Sequence, residues 1–295
     1  MLYDIRLTLT HTYAQPAGNS RHLLRLLPQT LARQTVTAHQ ITAMPLPDTR
    51  HDRFDFFGTA VTALTHSDPH PDMSITMTCR VAMAQPLPWN DRSVSLGNLQ
   101  TQIRSCKDLS PASPVHFLGP SYRLKPDSDI AAFARNVTQN ITGPETGVAQ
   151  TIIRLGKALH DEMRFDAKAT TVDTTAAQAF AQRSGVCQDF SHIMIVALRS
   201  LGIPAGYVSG YLRTLPPPGQ PRLVGVDAMH AWVKAWCGKE MGWIEYDPTN
   251  ATLAGTDHIT VGFGRDYADV SPILGHLRSS GAPIAEQTVD VAPID

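Results

Sequence analysis

Alternate positions near the amino terminus are apolar. Tyr3, Ile5, Leu7 and Leu9 are separated by mostly polar neighbours, the period of a strand with one face against a core. Met73, Ile75, Met77, Cys79, Val81 and Met83 repeat the alternation and predict a second antiparallel strand. Shorter apolar runs at Leu23–Leu27, Val36–Met44 and Ala60–Leu64 lie between them, separated by Pro, Asp, Gly and His clusters that mark turns. Residues 1–105 therefore read as an all-β, sandwich-like domain.

Periodicity fades from Leu87 to Pro126, where prolines recur, so 106–126 reads as a linker running over the surface. The period then changes. Asp127–Thr138 and Thr146–Met163 have helical spacing, and Thr174 stands as a candidate N-cap before Ala176, Ala177, Ala179 and Phe180. Cys187–Leu201 carries Phe190, Ile193, Met194, Ala197, Leu198 and Leu201 on one side, with Gly202 and Pro204 as its stop signal. Three strand patterns follow, Ala205–Arg213, Ala228–Cys237 and Gly242–Asp247, the first two joined by a proline-glycine loop at Pro216–Pro221. Residues 127–295 are thus expected to form an α+β core, helices first and strands after.

Composition narrows the function classes. The 295 residues are 42% hydrophobic and 17% charged with a net charge of -1, which fits a globular protein and gives no basic footprint for a nucleic acid. The amino terminus alternates like a strand and has no basic-then-apolar leader, and the apolar run Ile193–Leu198 is far short of the ~20 residues that span a bilayer. A cytoplasmic protein without membrane contact is expected. The four cysteines lack C-x-x-C spacing, so neither a zinc ribbon nor a disulfide framework is indicated.

Chemistry concentrates in the second half. Cys187 follows a Ser-Gly-Val turn and opens a helix, where unpaired N–H groups favour a thiolate. Taken alone it is more readily a packed thiol, since free cysteine is among the most buried residue types. His230 and Asp247 change that balance. If the last two strand patterns form a hairpin through a Gly238-Lys239 turn, His230 faces Asp247; a four-residue loop makes the pair diagonal but keeps it on one face. His230, Trp232, Trp243, Glu245 and Asp247 then share the polar face, and Ala231, Val233, Ala235, Ile244 and Tyr246 the apolar one. A nucleophile, a base and an orienting carboxylate are the parts of a covalent acyl-transfer site.

At these residues the sequence resembles the transglutaminase-like superfamily, papain-related enzymes with a Cys-His-Asp triad. R-S-G-V-C-Q-D-F-S-H-I-M-I-V-A-L-R-S-L-G-I-P-A-G-Y-V-S-G-Y-L is similar to the family's nucleophile helix and following strand, and M-H-A-W-V and W-I-E-Y-D-P-T-N to its His and Asp strands. Y-D-I-R-L-T, R-H-L-L-R-L-L-P and F-D-F-F-G-T-A-V resemble the β domain that precedes this core in bacterial members. The resemblance implies a papain-like core of helices on an antiparallel sheet, with Cys187 as nucleophile, His230 as base then acid, and Asp247 as orienter. One departure stands out: animal transglutaminases place an oxyanion-holding tryptophan upstream of the cysteine, and here none lies between Trp89 and Trp232. The Cys187 N–H is the first oxyanion donor expected, and the second is unassigned.

Around the triad, Gln188, Tyr207, Trp232 and Trp243 are substrate-binding candidates, Trp232 and Trp243 as walls of an acyl slot, while Tyr207 and Tyr211 share a strand face. Asp189 is assigned a structural role in the first helical turn. His66, His70 and Asp72 read as a polar hairpin tip rather than a metal site, and Gly262 and Gly264 lack the context of a nucleotide loop. No calcium-loop pattern is present, and no metal or cofactor is expected. The expected activity is thiol-dependent acyl transfer on a peptide or protein amide through a thioester, hydrolysis ahead of cross-linking. A non-catalytic binding module that keeps the fold is the alternative, disfavoured because all three triad residues are present.

Overall fold

The computed structural model describes residues 1–139, 147–214, 227–279 and 284–294; the expected loop at Pro216–Pro221 lies outside them. The amino-terminal half supplies β1 (Leu2–Leu24), β2 (Gln34–Met44), β3 (Thr49–Phe54), β4 (Ala60–His66) and β5 (His70–Met83). Then come α1 (Leu96–Arg104), α2 (Ser128–Gln139), α3 (Val148–Glu162), β6 (Arg164–Phe165), α4 (Ala176–Gln182), β7 (Ser184–Gly185) and α5 (Cys187–Ser200). The rest of the chain forms β8 (Ala205–Leu212), β9 (Ala228–Trp236), β10 (Trp243–Asp247), β11 (Thr252–Leu253), β12 (His258–Gly264), α6 (Tyr267–Val270), β13 (Ile273–Arg278) and β14 (Ile284–Ile294). Among the described residues no helix is long and apolar enough to cross a membrane.

The first sheet runs β2-β5-β1-β4-β3, with β13 and β14 also paired to β1. β1 is long because it serves two limbs: Leu2–Thr12 pairs with β5 and β14, and after a bulge between Thr12 and Ala17 the strand pairs with β4 and β13. A bulge bends its strand and raises the local twist. Tyr3, Ile5, Leu7 and Leu9 point into the same core as Leu24 and Leu64 of the other limb. The alternation along β1 and β5 is the direct cause, since every apolar residue of the alternating sets is buried.

The second unit packs helices on a five-stranded antiparallel sheet ordered β11-β10-β9-β8-β12. α5 is its axis. Gln188 to Leu198 are all buried, as for a helix enclosed on every side by α2, α3, α4 and the sheet. Each fully buried Leu, Ile or Met there contributes about 1.5–3 kcal/mol relative to exposure. α3 reaches the sheet at Gly156, where a Cβ would stand 2.1 Å from the Tyr246 ring, so only glycine allows this approach.

Two segments cross the boundaries drawn from periodicity. α1, inside the stretch assigned to the β domain, is capped by Ser95 and buries Leu99 and Ile103 in the helical core. At the other end, β13 and β14 leave the core and pair along β1. β14 was invisible because only Val289 and Val291 of its eleven residues are buried, and β3 is exposed throughout. Edge strands need no apolar alternation.

The expected polar hairpin tip at His66 and His70 is also corrected. Both rings are at least 95% buried and lie 5.2 Å apart at the turn between the two limbs, and only Asp72 of the three is exposed. The turn folds inward because the bulged β1 passes beneath it, His70 pairing with Ala17.

Candidate active site

Val186 is extended and Cys187 is the first residue of α5, so its N–H has no intrahelical acceptor. The turn before it is set by Asp189, whose Oδ2 accepts from the Val186 N–H at 2.8 Å and the Thr170 hydroxyl at 2.6 Å. Gly185 is required beside it, because a Cβ would stand 2.5 Å from that oxygen. Burial pushes the Asp189 carboxyl up, against the pull of these bonds. Cys187 itself is half-buried, directly before the enclosed stretch Gln188–Leu198.

His230 comes from β9 and Asp247 from the end of β10. The strands pair from Trp243↔Trp236 to Tyr246↔Val233, the register of the wider loop, so His230 and Asp247 are diagonal neighbours on one face. His230 Nε2 lies 2.7 Å from Asp247 Oδ2, and the ring is within electrostatic reach of the Cys187 side chain, with Nδ1 the nitrogen that Asp247 does not engage. Helix α5 and strands β9 and β10 thus bring the three side chains together.

The carboxylate end of the site is enclosed. The Asp247 side chain has no exposure and that of His230 has 8%. Burial disfavours the imidazolium, but the bond to Asp247 and the nearby Cys187 thiol outweigh it and push His230 up to about 10. Burial likewise opposes the Asp247 charge, yet donors from His230, His258 and Asn250 hold the carboxyl well below the usual carboxylate range. Asp247 Oδ1 accepts from the Thr249 and Asn250 backbones at 2.9 and 3.2 Å; Oδ2 accepts from Asn250 Nδ2 at 2.7 Å.

His258 is the residue that periodicity and motif missed. Its Nε2 stands 3.1 Å from Asp247 Oδ2. His230, Asp247 and His258 are the one set of His, Cys, Asp or Glu among the described residues with ligand atoms within 4.8 Å of one another, and their mutual hydrogen bonds account for that spacing. A second histidine eleven residues beyond the aspartate in sequence is the only signal that could have found it.

The substrate-binding candidates divide. Trp232 has no exposure; its indole N–H donates to Glu245 Oε2 at 2.6 Å and its ring lies 6.2 Å from His230, so it backs the histidine and walls no open slot. Gly210 makes room for it, since a Cβ would stand 2.4 Å from the indole. Gln188 is 8% exposed and donates its amide to the Val172 carbonyl at 3.2 Å. Tyr207 is buried against His192 and Tyr267, within electrostatic reach of Cys187, and burial drives its phenol well above the ordinary range. Tyr211 instead enters the core of the first sheet and donates to the Leu26 carbonyl at 2.7 Å. Trp243 is the member that meets a cavity: with Leu87, Trp89, Glu245, Leu253 and His258 it lines a cleft of about 640 Å³.

A thiol at a helix terminus, beside an imidazole that a buried carboxylate holds from an adjacent strand, defines a papain-type arrangement on a helix-and-sheet core. Residues 132–248 match the model of the Transglutaminase-like superfamily, and residues 3–82 that of the Bacterial transglutaminase-like N-terminal region. An uncharacterized protein of Mycobacterium tuberculosis is 31% identical over 275 residues, covering 92% of this chain and 86% of the relative. Another from Mycobacterium leprae is 31% identical over 285 residues and covers 95% of each. The chain belongs to the transglutaminase-like superfamily, a family of thiol-dependent enzymes. Its fold is also that of a candidate cysteine protease from Cytophaga hutchinsonii, with a TM-score of 0.74 at 20% identity over 100% of this chain and 92% of the other.

Proposed function

We propose that this protein is a cysteine-dependent amide hydrolase acting on a peptide bond or side-chain amide of a peptide or protein. The observation that carries the proposal is the placing of Cys187, at the start of α5, beside His230, whose ring lies 2.7 Å from fully buried Asp247. The Cys187 thiolate attacks the amide carbonyl carbon, and the new oxyanion is met by the Cys187 N–H at the start of α5. His230 gives its Nδ1 proton to the leaving nitrogen as the C–N bond breaks, which leaves a thioester and a free amine. Water then attacks the thioester, His230 takes its proton, and the acid departs as the thiolate re-forms.

Hydrolysis is favoured over amine transfer because Cys187 is only half-buried, so water reaches the thioester. The test has internal controls. Burial pushes the Cys79 thiol up to about 12 and raises that of Cys237 as well. Iodoacetamide labelling with mass mapping is expected to alkylate Cys187 fastest near neutral pH; equal rates at Cys187 and Cys106 would remove the proposal. Incubation with a glutamine peptide and a fluorescent amine is expected to release ammonia or cleave the peptide without incorporating dye. Dye incorporation would show the cross-linking activity instead.

A further inference from the structure

We infer that His258 is a positioning residue for Asp247, and that the amino-terminal β unit takes part in the chemistry by fixing the strand that carries it. The inference rests on the triad reading above and extends it to residues outside the triad.

The tautomer follows from the geometry. The Gly255 N–H points at His258 Nδ1 over 3.2 Å, so Nδ1 is the acceptor and Nε2 carries the proton that it donates to Asp247 Oδ2. His258 is 8% exposed, and the edge of the Trp232 ring fixes its plane at 5.2 Å and 82°. Asp247 Oδ2 therefore receives two imidazole donors from two different strands, His230 on β9 and His258 on β12. One orients the acid-base residue; the other holds the carboxylate against rotation and takes up part of its basicity.

What fixes His258 comes from the other sheet. Gln34 of β2, 2% exposed, accepts from the Thr260 N–H at 2.8 Å and donates to the Thr260 carbonyl at 2.7 Å, acting as a strand neighbour for β12. The Gln29 N–H donates to the same carbonyl at 3.1 Å. On the other side of His258, the Tyr3 hydroxyl of β1 donates to Asp257 Oδ1 at 2.8 Å, which Arg213 also meets at 3.3 Å. Ile259 and Val261 pack in the core of the first sheet. The titratable groups around this pair are thus His230 and Tyr246, which act on Asp247, Glu245 beside Trp232, and Asp257, Arg213 and Tyr3 at the start of β12.

His258→Phe removes the donor and keeps a ring, whereas His258→Gln places an amide N–H near Nε2. In the full chain, His258→Phe is expected to lower kcat by about 10- to 100-fold, the worth of one hydrogen bond to a charged group, with KM within about twofold. It should also raise the titration midpoint of His230 above about 10, because an Asp247 with one donor fewer holds the imidazolium harder. His258→Gln should restore most of both, and Tyr3→Phe and Gln34→Leu should lower kcat in the same sense by smaller factors. Side-chain ¹⁵N spectra of the resting protein read the His258 tautomer and the His230 titration without turnover, so this inference and the catalytic role of Cys187 fail separately. An Nδ1–H tautomer at His258, an unmoved His230 titration in His258→Phe, or no rescue by His258→Gln would overturn it.

Discussion

The two ends of the site are built by opposite means. The thiol end is local: Thr170, Gly185, Val186, Cys187 and Asp189 lie within twenty residues, and the turn is otherwise held by β6 and Asp166 a short way upstream. The carboxylate end is assembled from afar, Asp247 drawing donors from His230, Asn250 and His258, with Gln34 and Tyr3 of the other sheet holding the last in place. The nucleophile is half-buried at a helix start; the carboxylate has no exposure and depends on many partners. Reactivity and stability should therefore separate between the two ends.

The largest effect expected at the thiol end is on activity alone. Cys187→Ala should lower kcat by roughly 10⁶-fold, as loss of a covalent nucleophile does, with stability changed by less than about 1 kcal/mol. Turnover and urea titration of one preparation check both; a large loss of stability would break the contrast. At the carboxylate end both should fall. Asp247→Asn is expected to cost on the order of 10⁴-fold in kcat, the size seen when the orienting carboxylate of a triad is neutralised, and Asp247→Ala about 3–5 kcal/mol of stability because it strands buried donors.

The pH dependence sharpens the same point. The folded state holds Asp247 below its unfolded pKa, so that stability is present above about pH 4 and is lost as pH falls further. His230 is raised to about 10, so its contribution is complete below its unfolded value near 6.5 and is lost as pH rises through about 10. Thermal unfolding from pH 3 to 11 should show a maximum between those limits, and in Asp247→Ala the alkaline decline should flatten. The smallest effect belongs to the turn: Thr170→Val removes one bond to Asp189 and should cost about 1 kcal/mol, with a modest fall in the alkylation rate of Cys187.

Legibility in the sequence followed the same division. β1, β5 and α5 were readable because each keeps a strict apolar period against a core, and Cys187, His230 and Asp247 because each sits at the end or on one face of such an element. α1 was hidden: it buries only Leu99 and Ile103, within a proline-rich stretch. Trp232 was placed on the right face and misjudged, since only packing shows that Gly210 opens a recess that takes the whole indole.

By itself the sequence determined the alternation of β1 and β5, the enclosed helix behind Cys187 and the shared face of His230 and Asp247, because these depend on backbone period and near neighbours. The tertiary structure alone decided that β14 closes on β1, that β12 brings His258 to Asp247, and that Gln34 braces β12 from 226 residues away. Strand order and the pairing of buried polar groups are settled by the packing of the whole chain, and no local pattern encodes them.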